Sequence, residues 1–221
     1  DAHGVDASSY ALEHAAPGAA GRLEIGDLGH RLPSPDGGYD VVSVLETLEH
    51  LPPEQVGRAL AELRRVCGGY LVATIPSFGE NHNGPGGWFE GKVRGELVER
   101  YRSLGPGYEG PVTRDDLMRD AEGRPIEGHL TIASFAWWTR RFEEAGFARC
   151  GATERLLHPH LARFGLTKYW NLYVLRVPGT QEPVGETRSP EVVSELEARW
   201  GLDRRPADED DLRRVAEALG P

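Results

Sequence analysis

The stretch Tyr39-Asp40-Val41-Val42-Ser43-Val44-Leu45-Glu46-Thr47-Leu48-Glu49-His50-Leu51-Pro52-Pro53, with the helical run after it and the return Gly68-Gly69-Tyr70-Leu71-Val72-Ala73-Thr74-Ile75-Pro76, decides the fold. Val41, Val42, Val44 and Leu45 make a nearly continuous apolar run, as expected of a strand buried on both faces of a parallel sheet. Pro52 and Pro53 punctuate the chain, and Val56, Ala59, Leu60, Leu63 and Val66 then recur at helical spacing. Gly68 and Gly69 are expected to close that helix, with residues 70–75 returning as a second apolar strand. Such a unit makes a right-handed crossover whose functional end is the carboxyl end of its strands. Glu46, Glu49 and His50 stand at that end.

Upstream, Gly4-Val5-Asp6-Ala7-Ser8 reads as a strand ending in an acid, followed by a serine-capped helix carrying Tyr10, Ala11, Leu12 and Ala15. Residues 23–28 read as another short strand, again ending in an acid at Asp27. Alternating strands and helices predict an α/β fold, a mostly parallel sheet with helices on both faces. Downstream the pattern fails over residues 77–128, a stretch crowded with Gly and Pro that holds one helical piece near 91–104. A loop typically spans about 4–6 residues, so this is an insertion, placed after a strand end where a lid or substrate-binding subdomain would sit. Asn81-His82-Asn83 with Trp88 and Phe89 would offer polar and aromatic groups to a sugar or small polar acceptor.

Regular structure resumes with a helix over 131–145, in which the adjacent Trp137 and Trp138 are not expected both to face the core. Residues 147–154 and 169–177 read as two strands forming an antiparallel finish to the sheet. A polar linker after Pro178 leads to two amphipathic helices, so residues 1–177 are read as the domain and 178–221 as linker and helical tail. That tail either packs back on the domain or forms a homodimer contact.

The 221 residues carry a net charge of −10, which argues against a nucleic-acid partner, because sequence-independent affinity for a polyanion comes from Lys and Arg releasing counterions. No apolar run is long enough to span a membrane, and a cytoplasmic protein is expected. Cys67 and Cys150 are isolated and read as reduced packing residues. Two carboxylates and an imidazole at Glu46, Glu49 and His50 are a mixed oxygen and nitrogen set suited to Mg²⁺, Mn²⁺ or Zn²⁺; a helical continuation of the strand would put them on one face. The plainer reading of His50 is a turn cap or a cofactor contact.

In the order and spacing of Gly4-Val5-Asp6-Ala7-Ser8, Gly26-Asp27-Leu28, residues 40–51 and Gly146-Phe147, the chain resembles the class I S-adenosylmethionine-dependent methyltransferases over roughly residues 1–177. The resemblance implies a Rossmann-like methyltransferase fold with an antiparallel last strand, and S-adenosylmethionine as cofactor. It implies that Asp6 holds the ribose hydroxyls with Ala7 beside the adenine. Asp27 would accept from the adenine amino group while the Leu28 amide donates to the ring, and Val44 and Leu45 would line the methionine side. The family's first strand and its glycine-rich loop have no counterpart here and would be expected ahead of Asp1.

The Glu-x-x-Glu-His pattern is similar to that of metal-dependent methyltransferases acting on the 2′-hydroxyl of small RNAs, and of ubiquinone-pathway O-methyltransferases. That likeness implies a further ligand at His129, making the metal set Glu46, Glu49, His50 and His129. Without a metal, His129 or His50 would serve as general base. The expected function is therefore methyl transfer from S-adenosylmethionine to a hydroxyl of a small molecule or glycan. The competing readings are a catalytically silent methyltransferase-like binding module and a nucleotide-binding dehydrogenase domain. The position of Asp27 and the antiparallel final strands speak against the dehydrogenase.

Overall fold

The computed structural model describes residues 2–19, 21–77, 109–111, 121, 123, 128–154, 157 and 171–182. The helical piece expected near 91–104, the residues singled out at 81–83, 88 and 89, and the helices of the 178–221 tail with its dimer contact lie outside the described residues.

In chain order the elements are β1 (Gly4–Asp6), α1 (Ser9–Glu13), β2 (Leu23–Ile25), β3 (Tyr39–Leu45), α2 (Pro53–Val66), β4 (Cys67–Ile75), α3 (Phe135–Glu144), β5 (Ala148–Arg149) and β6 (Asn171–Arg176). β1 and β2 form a parallel pair of their own, while β3, β4, β6 and β5 form a second sheet in that spatial order. β3 runs parallel to β4, and β6 runs antiparallel to both β4 and β5. This is the expected Rossmann-like arrangement of parallel strands with an antiparallel last strand. The His3 and Tyr39 rings, ahead of β1 and at the head of β3, lie 6.3 Å apart, so the two parallel pairs start side by side.

Alternation along β4 and β6 divides the larger sheet into two faces. Leu71, Ala73 and Ile75 on β4 and Tyr173 and Leu175 on β6 face one way, where Val56, Ala59, Leu60 and Leu63 of α2 and Trp138 and Phe142 of α3 cover them. Cys150, Leu172 and Val174 make a smaller cluster with Val72 on the other face. Both cysteines are free and buried, as expected. Arg65 ties α2 to the chain entering β3, donating to the carbonyls of Leu32 (3.2 Å) and Ser34 (2.8 Å) and to the carboxylates of Glu62 and Asp36. No helix among the described residues is long and apolar enough to cross a membrane.

Four local expectations are corrected. β3 is not buried on both faces: among the described residues it pairs on one side only, with β4, and Val41 and Leu45 are 58% and 55% exposed while Val44 enters the core. Gly68 and Gly69 do not close α2 but lie inside β4, where a Cβ on Gly68 would come within 2.7 Å of the Gly37 carbonyl oxygen and one on Gly69 would strike that of Asp40. The pairing of β3 with β4 slips there, between Tyr39 and Val41, so the glycines mark a bulge with close backbone approach. Trp137 and Trp138 are both buried. Trp138 fills the core, and Trp137 packs edge-on against it beneath the Arg141 guanidinium, which lies 5.4 Å from its ring centre. The strand expected over 147–154 is confined to Ala148–Arg149, and residues 151–154 turn helical.

Two glycines give opposite expectations. Gly57, inside α2 with nothing near its missing Cβ, is expected to stabilise the protein by about 0.4–1 kcal/mol when changed to Ala. Gly69→Ala is expected to destabilise it by about 1–3 kcal/mol, because a backbone carbonyl must move. Denaturant unfolding of the two variants checks the signs.

Candidate active site

Three side chains from two distant parts of the chain meet beyond the carboxyl end of β3. Leu45 ends the strand, and Glu46 follows with φ of 48°, a left-handed conformation uncommon outside glycine. Its amide still bonds the Thr74 carbonyl at 2.9 Å, so the kink comes directly at the sheet's edge. Leu48–His50 then forms a single tight turn rather than a run of α-helix. Glu46 consequently does not share a helical face with Glu49 and His50. The donor atoms brought within 4.8 Å of one another belong to Glu49, His50 and His129.

The turn is sewn to the segment around His129. The Glu49 carbonyl accepts from the amides of Leu130 (2.8 Å) and Thr131 (2.9 Å), the Leu51 carbonyl accepts from the Thr131 hydroxyl (2.6 Å), and the His50 Nδ1 donates to the Gly128 carbonyl (3.0 Å). A carbonyl only accepts, so His50 carries a proton on Nδ1, and in the neutral ring that tautomer has its lone pair on Nε2. That Nε2 stands 3.9 Å from Glu49 Oε1, and the rings of His50 and His129 meet edge-on with centres 5.0 Å apart.

Glu49 is the unusual member. Its side chain is 1% exposed against 50% for His50, and neither carboxylate oxygen has a hydrogen-bond partner among the described residues. Burial pushes its carboxyl up to about 8, and the charge of Glu46 acts in the same direction. A buried carboxylate without donors is costly unless it is protonated or balanced by a cation. With two imidazole nitrogens within reach and one side open to solvent, the residues fit a divalent cation: mixed oxygen and nitrogen donors, and a ligating histidine held through its other nitrogen by a carbonyl.

The residues expected to hold a cofactor lie at the ends of the first two strands. Asp6 ends β1 and its Oδ1 accepts from the Ser8 amide (2.8 Å), shaping the exposed turn through Ala7 into the Ser8 cap of α1. Asp27 follows β2; its Oδ1 accepts from the Gly29 amide (2.7 Å) and its Oδ2 from His30 Nδ1 (3.0 Å). The Gly29 amide foremost holds the Asp27 carboxyl below its usual range. Because β1 and β2 are parallel and in register from Gly4 to Asp6, both acids emerge at the same end of the pair. Leu28 packs on the main core, Val44 is inside it, and Leu45 is on the exposed side of β3. The bonds of Gly128 and Thr131 to the turn span 78 to 80 positions, and no local pattern announces them.

Residues 1–68 match the family model of a methyltransferase domain. That part of the chain is similar to methyltransferase domains. The methyltransferase match includes Asp6, Ala7, Asp27, Leu28, Val44, Leu45, Glu46, Glu49 and His50, and ends before His129. Among solved structures, the chain is similar to an S-adenosylmethionine-dependent methyltransferase from Methanosarcina mazei, at 19% identity over 79% of this chain and 81% of that one, with a TM-score of 0.46. It is also similar to one from Mesorhizobium loti, at 17% identity over 78% of each chain and a TM-score of 0.42. A third is magnesium protoporphyrin IX methyltransferase from Synechocystis PCC 6803 with bound SAH, at 16% identity over 79% of this chain and 63% of that one, TM-score 0.39. No curated protein matches the sequence.

The raised Glu49 carboxyl fixes a pH dependence. Below its ordinary value of 4.5 both folded and unfolded chains hold the proton; between there and about 8 only the folded chain does, so its contribution to stability falls as pH rises through that window. In chelator-treated protein, Glu49→Gln is expected to remove this decline, as followed by thermal unfolding between pH 5 and 8.

Proposed function

We propose that this chain transfers a methyl group from S-adenosylmethionine to a hydroxyl of a small molecule or glycan, assisted by a divalent cation held by Glu49, His50 and His129, with Glu46 adding negative charge beside them. The observation that carries this reading is the buried, unpartnered carboxylate of Glu49 within 4.8 Å of two imidazole donors.

Methyl transfer joins the acceptor oxygen to the methyl carbon as the carbon–sulfur bond breaks, and the sulfur leaves neutral. Positioning supplies much of the rate in such a step. A hydroxyl is a poor nucleophile until its proton is drawn away, and the chemistry a divalent cation supplies when bound is to lower that proton's affinity. Were the site to work without the ion, His50 Nε2 or the His129 ring, the two ring centres lying 5.0 Å apart, would accept the hydroxyl proton instead. Asp6 serves the cofactor's ribose, since a carboxylate accepts from two neighbouring hydroxyls at once. Asp27, held ionised, accepts from the adenine amino group, with the Leu28 amide donating to the ring and Ala7 beside it. Val44 and Leu45 lead the chain to the methionine side.

Calorimetric titration with S-adenosylhomocysteine is expected to show binding that Asp6→Ala weakens about tenfold or more, the scale of losing charge-assisted hydrogen bonds. Methyl transfer from labelled S-adenosylmethionine to a panel of hydroxyl acceptors is expected to stop on chelation and to return with Mg²⁺ or Mn²⁺ in the wild type, but not in Glu49→Gln. Transfer indifferent to chelator would contradict the assisted reaction. Absence of any cofactor binding would leave a silent module.

A further inference from the structure

We infer that Gly128 and Thr131 are positioning residues that hold the His50 ring in one tautomer with Nε2 turned towards Glu49. Gly128 has φ of 98°, where a side chain is strained, and its carbonyl takes the Nδ1 proton of His50 at 3.0 Å. A glycine thus aims the acceptor that decides which ring nitrogen keeps its lone pair. Thr131 is fully buried, and its hydroxyl closes on the Leu51 carbonyl at 2.6 Å. Its amide and that of Leu130 close on the Glu49 carbonyl at 2.9 and 2.8 Å. The backbone is therefore held immediately before His50 and immediately after it, and the ring is held at Nδ1. Three anchors leave the ring little freedom except to present Nε2 at the buried carboxylate, 3.9 Å away.

The same bonds carry His129, which lies between Gly128 and the Leu130 and Thr131 amides, to the edge of the His50 ring. A free imidazole exchanges between its two tautomers and rotates. A ring fixed in advance gives up less entropy when Nε2 takes a cation or a proton. The inference rests on the proposed function in one respect only, namely that Nε2 of His50 works at the reacting site.

The test is a long-range proton–nitrogen correlation spectrum of chelator-treated protein labelled at the histidine ring nitrogens, recorded above the imidazole titration range, with His50 assigned through His50→Gln. Wild type is expected to show His50 protonated at Nδ1 alone. Thr131→Val and Gly128→Ala are expected to give mixed tautomers, and Thr131→Ser, which keeps the hydroxyl, to restore the wild-type spectrum. Mn²⁺ affinity is expected to fall about 10- to 100-fold in Thr131→Val and to recover in Thr131→Ser. Should Gly128→Ala fail to fold, the Thr131 pair decides. A His50 signal that is mixed or protonated at Nε2 in the wild type, or unchanged in Thr131→Val, overturns the inference. A fixed tautomer lost in Thr131→Val, in a protein that binds no Mn²⁺, supports the positioning role while removing the metal from the proposed function.

Discussion

The arrangement depends on one electrostatic constraint: the carboxylate of Glu49 is buried without a donor among the described residues while its own backbone carbonyl accepts two amides from a segment some eighty positions downstream. Leaving such a group charged and unpaired in a protein interior costs several kcal/mol, so the surroundings must supply a proton or a cation. The backbone bonds to Leu130 and Thr131 close the site around that carboxylate, and they bring His129 to it. The raised affinity for a proton and the fit to a cation are two expressions of the same burial.

The sheet explains why the constraint arises at this place. β3 and β4 run parallel, so the chain leaving β3 must turn back towards α2, and Glu46 takes the left-handed kink that starts the turn. α2, packed through Val56, Ala59, Leu60 and Leu63 and tied to the β3 entry by Arg65, fixes where the turn ends. The segment carrying Gly128 to Thr131 leads into α3, which packs on the same face of the sheet as α2. Two helices on one face thus hold the two halves of the cluster. At the parallel β1–β2 pair, Asp6 and Asp27 emerge together, so the residues proposed for the cofactor and those proposed for the cation lie at the ends of different strands.

Much of this was legible in the sequence. The periodicity of Val56 to Val66 marked α2, the apolar runs marked β3 and β4, and the antiparallel finish followed from the two apolar stretches after the Trp-rich helix. Glu49, His50 and His129 were legible as candidate donors because few side chains bind a divalent ion, and the structure brings these three together. What the sequence hid was tertiary. Whether β3 is covered on both sides depends on its neighbours, not on its own apolar run. Gly68 and Gly69 look like a helix stop until the opposing carbonyls are known. Trp137 can be buried beside Trp138 because a guanidinium covers it. Glu46 leaves the cluster because the turn is tighter than an α-helix, and no local pattern announces a hydroxyl on Thr131 reaching Leu51.

The most direct test of the central claim is a titration of chelator-treated protein with Co²⁺, followed by its electronic absorption, on the wild type, Glu49→Gln and His129→Ala. The wild type is expected to show saturable ligand-field bands that both substitutions remove or strongly weaken, while the thermal transition of the metal-free proteins stays cooperative. Bands absent from a folded wild type, or indifferent to both substitutions, would contradict it.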